Sequence, residues 1–538
     1  MSAAAPALSE APSPSLFSRI DDLLNPIVVK ELRQAVKSRI VVVILMGFLG
    51  IQMFVMGGFL WARSAQAEYG QGLWNAGIEV FTVLQWVLLP TLMLVIPAHA
   101  TVRFANERSD QNVDLLFISA LRPSSIVWGK FFAAIVLAML VLSLVAPFMV
   151  FSYLMRGLDI PTILIILGID LLAMVGATMA GLFLAAIPGP RPVKFIFALM
   201  GFLGLFNLFI GVGALCQELL RGMWFELADP ERRWLILGTF AAGILAATSL
   251  LYFYTVALIS PPSCDRIRPV RLCVLAIWLL GGIGAFFAYS QMSSLAGGGV
   301  VPALAALFPV AIWLIASTAM LCLQMVISIC ERESWGVRMA KAIPGNPLLR
   351  VVAFLLYTGA AGGVLFTLIL MMATLGATWA LIASLPGARE MDMLGQLANG
   401  CAGAMAYAVC YCLSALLLRH YFLAAHIKQG LTWILALVLA GLGSCIPALI
   451  AALVFPDSLR HGQDSGWWYL PNPFWVPMVL GHAEHIGGDR GIFELMVGWF
   501  LATWGIILGI LGVPYIVQQA LKFRPYRKKH EPVAPQAA

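Results

Sequence analysis

Apolar residues in this chain neither alternate nor trace a single helical stripe; they continue for about twenty positions or more, stop at a short polar segment, and resume. A hydrocarbon core about 30 Å thick asks for roughly 20 apolar residues per helix. Twelve runs meet that demand, at 40–62, 78–101, 131–155, 160–187, 195–216, 234–259, 272–294, 301–329, 351–384, 397–418, 431–455 and 492–516. The pattern predicts an all-α polytopic membrane protein of about 12 transmembrane helices. Composition agrees: 61% of the 538 residues are hydrophobic and only 11% are charged, with a mean hydropathy of +0.91. A water-soluble protein of this size would lack the polar surface to cover itself.

Charge placement adds an orientation. Residues 1–39 carry Pro, Ser, Asp22, Glu31 and five basic groups before the first run, not a short apolar core, so the first span is expected to act as its own insertion signal. With a cytoplasmic N-terminus, twelve spans place 25 of the 33 Lys and Arg residues on the cytoplasmic side, and flipping the chain or dropping a span spoils that asymmetry. Both termini are therefore expected in the cytoplasm. The net charge of +7 reads as this topology signal and as affinity for anionic membrane lipid, not as a nucleic-acid footprint. Nine cysteines without a C-x-x-C pair read as small packing residues, and no disulfide framework is expected.

The division expected along the chain is a cytoplasmic N-terminus at 1–39, a six-helix unit at 40–259, a cytoplasmic linker at 260–271, a second six-helix unit at 272–516, and a basic cytoplasmic tail at 517–538. A 6+6 repeat is one reading of it, because "ERSDQ" at 107 and "ERESW" at 331 each follow the second span of their half. Before the first span, Asn25 can cap a helix opening at Pro26. In "NPIVVKELRQAVKSR", Val28, Leu32, Ala35 and Val36 then share one face, and Lys30, Arg33, Gln34 and Lys37 the other. Such a helix, with Glu31 along it, is expected to lie flat on the inner membrane surface. A plain basic stop before a span is the alternative.

The polar stretch between the second and third runs, "NERSDQNVDLLFISALRPSSIVWGKFF", also reads as helical. Ser109 or Asp110 can cap it, Val113, Leu116, Phe117 and Ala120 recur at helical spacing, Arg122-Pro123 ends it, and Ser124 can cap the next helix. The result is a short amphipathic helix between two spans, with one face for the bundle and one for a soluble partner.

These residues resemble a family. Glu107-Arg108, Asp114-Leu115-Leu116, Leu121, Ile126 and Gly129-Lys130 align without a gap on the E-R-E-x-G-T-L-E-L-L-L pattern and following G-K of type-2 ABC exporter permeases. "NPIVVKELR" similarly resembles the connecting helix before their first span. Gln111, Asn112 and Ala120 stand where that family usually has Gly, Thr and Pro, and the second-half loop "ERESWGVRMAKAIPGNPLLR" lacks the Leu-Leu and Gly-Lys elements at matching places.

The resemblance implies a permease subunit in which residues 107–122 form a coupling helix docked on a separate ABC ATPase subunit. Glu107, Arg108, Asp110 and Asp114 would make its polar contacts, and Leu115, Leu116 and Phe117 would wedge into the partner. It also implies short re-entrant helices in "CQELLRGMWFELADPERR" and, where one chain supplies only part of the path, a second permease chain. ATP and Mg would belong to the partner, because the phosphate-cradling G-x-x-x-x-G-K-[ST] is absent: Gly129-Lys130 is followed by Phe131, and Ser124 stands where the first Gly belongs. No enzyme activity of its own and no cofactor are expected.

Other polar positions compete for attention. Asp170 falls inside the fourth run, where a carboxylate costs about 2.5–3.5 kcal/mol on insertion scales, and marks either a polar path or a hydrogen-bonded fastener. Gln85, Asn207 and Gln324 are milder cases, read mainly as interhelical hydrogen bonds. His482 and His485, with Glu484 and Asp489, have spacing suited to two imidazoles, but their Gly-rich setting and the aromatics of "DSGWWYLPNPFW" favour an outer interface belt over a metal site. An ion-coupled transporter in which Asp170 titrates, and a non-transporting membrane scaffold, remain as alternatives.

Overall fold

The computed structural model describes residues 26–67, 76–109, 122–155, 157–187, 191–221, 230–261, 264–295, 306–385, 388–454, 470–481 and 490–525. Among them there is no strand, and twelve helices are long and apolar enough to cross a membrane. The chain is an all-α, multi-pass membrane protein. It forms two compact units, Met1–Pro261 and Pro262–Ala538, each with six of the spans.

The first unit runs α1 (Pro26–Lys37), α2 (Arg39–Ala67), α3 (Ala76–Pro90), a π-helical turn (Thr91–Val95), α4 (Ile96–Ser109), α5 (Pro123–Leu154), α6 (Ile160–Ala186), α7 (Arg191–Leu220) and α8 (Pro230–Ile259). Its second span, α3 through α4, is the central post: 61% of its apolar window is buried, against 6% for the fifth span. Phe81, Leu84, Leu88, Leu92 and Ile96 make the fully buried stripe down that post. Phe195, Phe202 and Phe206 of α7 point outward instead, toward the place of lipid.

The π turn has a cause in the sequence. Pro90 has no N–H to give back to the preceding turn and its ring crowds the i−4 carbonyl, so the ladder widens. The Ile96 N–H then reaches five residues back to the Thr91 carbonyl. The Thr91 hydroxyl donates to Val87 O at 3.0 Å. One helical stretch further on, α4 meets α6 closely, because a Cβ at Gly181 would overlap the Thr101 hydroxyl. Small residues at such crossings let backbones approach.

The second unit runs α9 (Arg268–Leu295), α10 (Phe308–Ile329), α11 (Val337–Ala342), α12 (Pro347–Leu356), α13 (Ala360–Ser384), α14 (Ala388–Leu418), a π turn (Arg419–Leu423), a 3-10 turn (Gln429–Leu431), α15 (Thr432–Val454), α16 (Trp475–Gly481) and α17 (Arg490–Lys522). Here α14 is central, and its span continues through the π turn to Leu423. The short α16 packs on it: a Cβ at Gly400 would meet Pro477 O, and one at Gly403 would meet Leu480. Tyr407 and Tyr411 of α14 donate to Leu470 O and Pro471 O ahead of α16.

Two expectations are corrected. The apolar run 351–384 is two elements: α12, capped by Asn346 accepting from the Leu348 N–H, ends at Leu356, and the span starts afresh at Ala360. The third span begins at Pro123, with Arg122 as the N-cap and Pro123 in the first turn, so Ser124 caps nothing. Proline at that position lacks only an N–H that no intrahelical partner would have used. Trp475 opens α16 and meets Phe493 edge-on at 5.8 Å, while Phe474 alone of that pair stays exposed.

Candidate functional site

At one end of the first unit, α1, the last turn of α4 and the first turns of α5 converge. Lys130 of α5 is buried there, with its Nζ 3.1 Å from Glu31 Oε1 and 2.6 Å from Glu107 Oε2. The Nζ also lies 5.8 Å from the Phe104 ring centre. Arg103 approaches Glu31 Oε2 at 3.8 Å and donates to Gln34 Oε1 at 3.2 Å. One cation therefore holds two carboxylates from two elements, and a second cation flanks them. Glu31 and Lys130 have side-chain exposures of only 7% and 4%, whereas Glu107 keeps 47%. A buried charge needs a partner of this kind.

Local sequence explains the convergence. Glu31 follows Val28 by one turn of α1, and both are buried, so the helix turns a mixed face inward. Periodicity put Val28, Leu32, Ala35 and Val36 on the inner face; the carboxylate sharing it was not marked by hydrophobicity. Lys30, Arg33, Gln34 and Lys37 are exposed. Beneath the ion cluster, Phe104, Ile126, Val127, Phe131, Met179, Leu182 and Ala186 seal the ends of α4, α5 and α6 into one apolar plug.

The sequence-derived candidates distribute as follows. Pro26 opens α1, and Glu107, Arg108 and Ser109 form the last residues of α4. Glu107 joins the ion cluster, together with Glu31 from the proposed interfacial helix. Asn25, Asp110, Asp114, Leu115, Leu116 and Phe117 lie outside the described residues, as do His482, Glu484, His485 and Asp489. Of the expected re-entrant stretch 216–233, residues 222–229 lie there too, while 216–220 end α7 and 230–233 open α8. Among the described residues no cluster of three or more His, Cys, Asp or Glu could hold a metal ion.

Asp170 sits elsewhere in the first unit. It is fully buried on α6, accepting from Gln85 Nε2 at 2.5 Å and facing Cys216 Sγ at 3.7 Å. It thus ties α6 to α3 and α7. Gln85 is an interhelical partner, as its position suggested; Asn207 bonds within its own helix to Leu203 O at 2.9 Å, and Gln324 donates to Ser328 one turn on at 3.3 Å.

The corresponding end of the second unit carries a constellation that sequence reasoning did not single out. Arg271, in the first turn of α9, is completely buried. Its guanidinium pairs with Glu331 and donates to Leu355 O at 2.8 Å, Tyr357 O at 2.6 Å and Gly359 O at 3.1 Å. Glu331 also accepts from the Gly359 N–H at 2.7 Å. Burial pushes the Glu331 carboxyl above the usual range, and the adjoining Arg271 charge and the Gly359 N–H oppose that push. Only glycine fits beside the fork, since a Cβ at Gly363 would strike the Arg271 guanidinium and one at Gly362 the Phe354 carbonyl.

Two residues on, Glu333 collects Arg419 at 3.2 Å, His420 at 3.4 Å and the Tyr515 hydroxyl at 3.1 Å. Gln429 accepts from the Glu333 N–H at 3.3 Å and donates to Glu331 O. The loop 331–333 therefore touches groups of α9, the α14 span, the turn that opens the α15 span and α17, and the Gly359 cap ahead of α13. Asp265 accepts from the Thr358 hydroxyl at 2.8 Å and its N–H at 3.2 Å, and Trp335 donates to Thr358 O at 2.7 Å. Phe523 closes the junction against Trp335, Phe354 and Tyr357 at 5.1, 5.5 and 6.3 Å. The signal available in the sequence was an acid and an arginine each standing within a few residues of an apolar run.

No protein-family model, no curated protein and no solved structure matches this chain.

Proposed function

We propose that this protein is the membrane-spanning permease subunit of an ATP-binding-cassette exporter, resident in a bacterial plasma membrane with both termini in the cytoplasm. A separate ABC ATPase subunit docks on residues 107–122 and supplies the energy, holding the ATP and Mg. The reading rests on the resemblance of residues 25–39 and 107–130 to type-2 exporter permeases, and one observation carries it further. Glu31, Glu107 and Lys130 fasten α1 to α4 and α5, the two elements between which segment 110–121 runs in the chain. A push on that segment thus reaches α1, the central post α4 and the long span α5 together. Rigid helices pass on displacement, and an ion cluster with one half-exposed member permits small rearrangement.

Copurification tests the proposal. An ATPase subunit, identified by nucleotide photolabelling, is expected to accompany the wild-type protein and the surface variant Arg338→Glu in the second unit, and to be lost with Leu116→Glu while the melting temperature stays unchanged. Retention of the ATPase by Leu116→Glu, or its absence from the wild type, overturns the assignment.

A further inference from the structure

Beside the ion cluster, α1, the start of α2 and the outer flank of α4 enclose an open cleft of about 1080 Å³. Its rim holds Lys30, Arg33 and Lys37 from α1 and Arg103 from α4, and among the described residues no acid lines it. Its inner wall is mostly apolar: Ile44, Val95, Ala98 and Val102 with His99 among them, Val95 being 40% and Val102 56% exposed. Lys30, Arg33 and Lys37 have no acidic partner among the described residues, while the nearby acid Glu31 is already engaged by Lys130 and Arg103.

Three free cations and a partly engaged fourth above a hydrocarbon-facing wall make a site with two chemistries at one depth. Arg and Lys groups fit phosphate oxygens, and basic residues beside a span are drawn to an anionic surface. The wall below is mostly apolar, with His99 as the polar group among its valines, and suits an acyl chain. A free anion would satisfy the rim and leave the wall wet; a zwitterionic lipid would bring its own cation against four others.

We infer that this cleft is a specific site for one anionic phospholipid of the surrounding leaflet, its phosphate held by Lys30, Arg33, Lys37 and Arg103 and its chain laid on Ile44, Val95 and Val102. The bound lipid bridges α1 and α4, two of the three elements fastened by Lys130. This holds independently of which partner acts on residues 107–122.

Native mass spectrometry of the full chain tests it, with phosphatidylglycerol, phosphatidylcholine and inorganic phosphate as probes. Phosphatidylglycerol is expected to remain bound at one copy and phosphatidylcholine to bind at least tenfold more weakly. The combined variant Lys30→Gln, Arg33→Gln, Lys37→Gln should weaken phosphatidylglycerol at least tenfold. Val102→Trp, at an exposed position that tolerates bulk without disturbing the core, should do so by occupying the wall. The pair Arg338→Gln, Lys341→Gln on the second unit should leave binding unchanged. Equal binding of both lipids, equal loss in that control pair, retention of phosphatidylglycerol by Val102→Trp, or displacement of the lipid by equimolar inorganic phosphate overturns the inference.

Discussion

The two units meet the same problem at corresponding places, where their second span ends and their third begins, and solve it differently. The first unit uses a lysine, which is a compact point charge on a flexible stem. Lys130 is shared between Glu31 and a half-exposed Glu107, with Arg103 in reserve 3.8 Å from Glu31. The second unit uses an arginine, whose planar fork is spent on one carboxylate and three backbone carbonyls with no exposed member. In the first cluster two cations share two carboxylates and one carboxylate reaches water; in the second both charged groups are buried, with Arg271 Nε and Glu331 Oε1 left without a hydrogen-bond partner. The difference is what favours, within the proposal, a partner contact at residues 107–122 over one at 331–359.

The sharpest way to break this contrast is to remove the arginine. Arg271→Met leaves Glu331 as an uncompensated buried charge, which costs about 3–5 kcal/mol. Denaturant unfolding in mixed micelles should show that loss in full, and Arg271→Met with Glu331→Gln should recover much of it. An undiminished midpoint in the single variant would mean that the second junction is not the fixed one.

Lys130→Met should cost less, about 1.5–3 kcal/mol as for loss of a charged hydrogen bond, because Arg103 can move onto Glu31 and Glu107 can turn to water. The same unfolding measurement checks it. A penalty equal to that of Arg271→Met would erase the distinction between the two clusters.

Asp170→Asn sharpens the comparison within the first unit. The new amide can donate to Gln85 Oε1, which has no partner in the present structure, so the change is expected within the roughly 0.6–1.7 kcal/mol range of interhelical hydrogen bonds. Reconstituted flux that is independent of ATP and vanishes in Asp170→Asn would instead favour the ion-coupled alternative.

Much of the architecture was legible because membrane insertion is a length-and-polarity threshold, and every predicted run has its span. The failures are local. The run 351–384 hides a break because Phe354, Leu355, Leu356 and Tyr357 are apolar side chains on a backbone whose carbonyls are wanted by Arg271; hydropathy reads side chains and not that demand. Glu31 looked like part of a charged surface because its buried partner lies 99 residues away. The roles of Arg271 and Glu331 depend on a fork meeting carbonyls of the break before α13, a relation no spacing rule encodes. Asp170 was conspicuous as a charge inside an apolar run, but its partners on two other helices emerged only from the packing.

The account turns on which loop receives the partner, and photocrosslinking from two positions asks that directly. A photoreactive residue placed at Phe117 in native membranes is expected to yield an adduct with a nucleotide-binding subunit, while the same residue at Leu348, exposed on α12 of the second unit, yields none. An adduct at Leu348 without one at Phe117, or a Phe117 position reachable only by reagents added outside the cell, would contradict it.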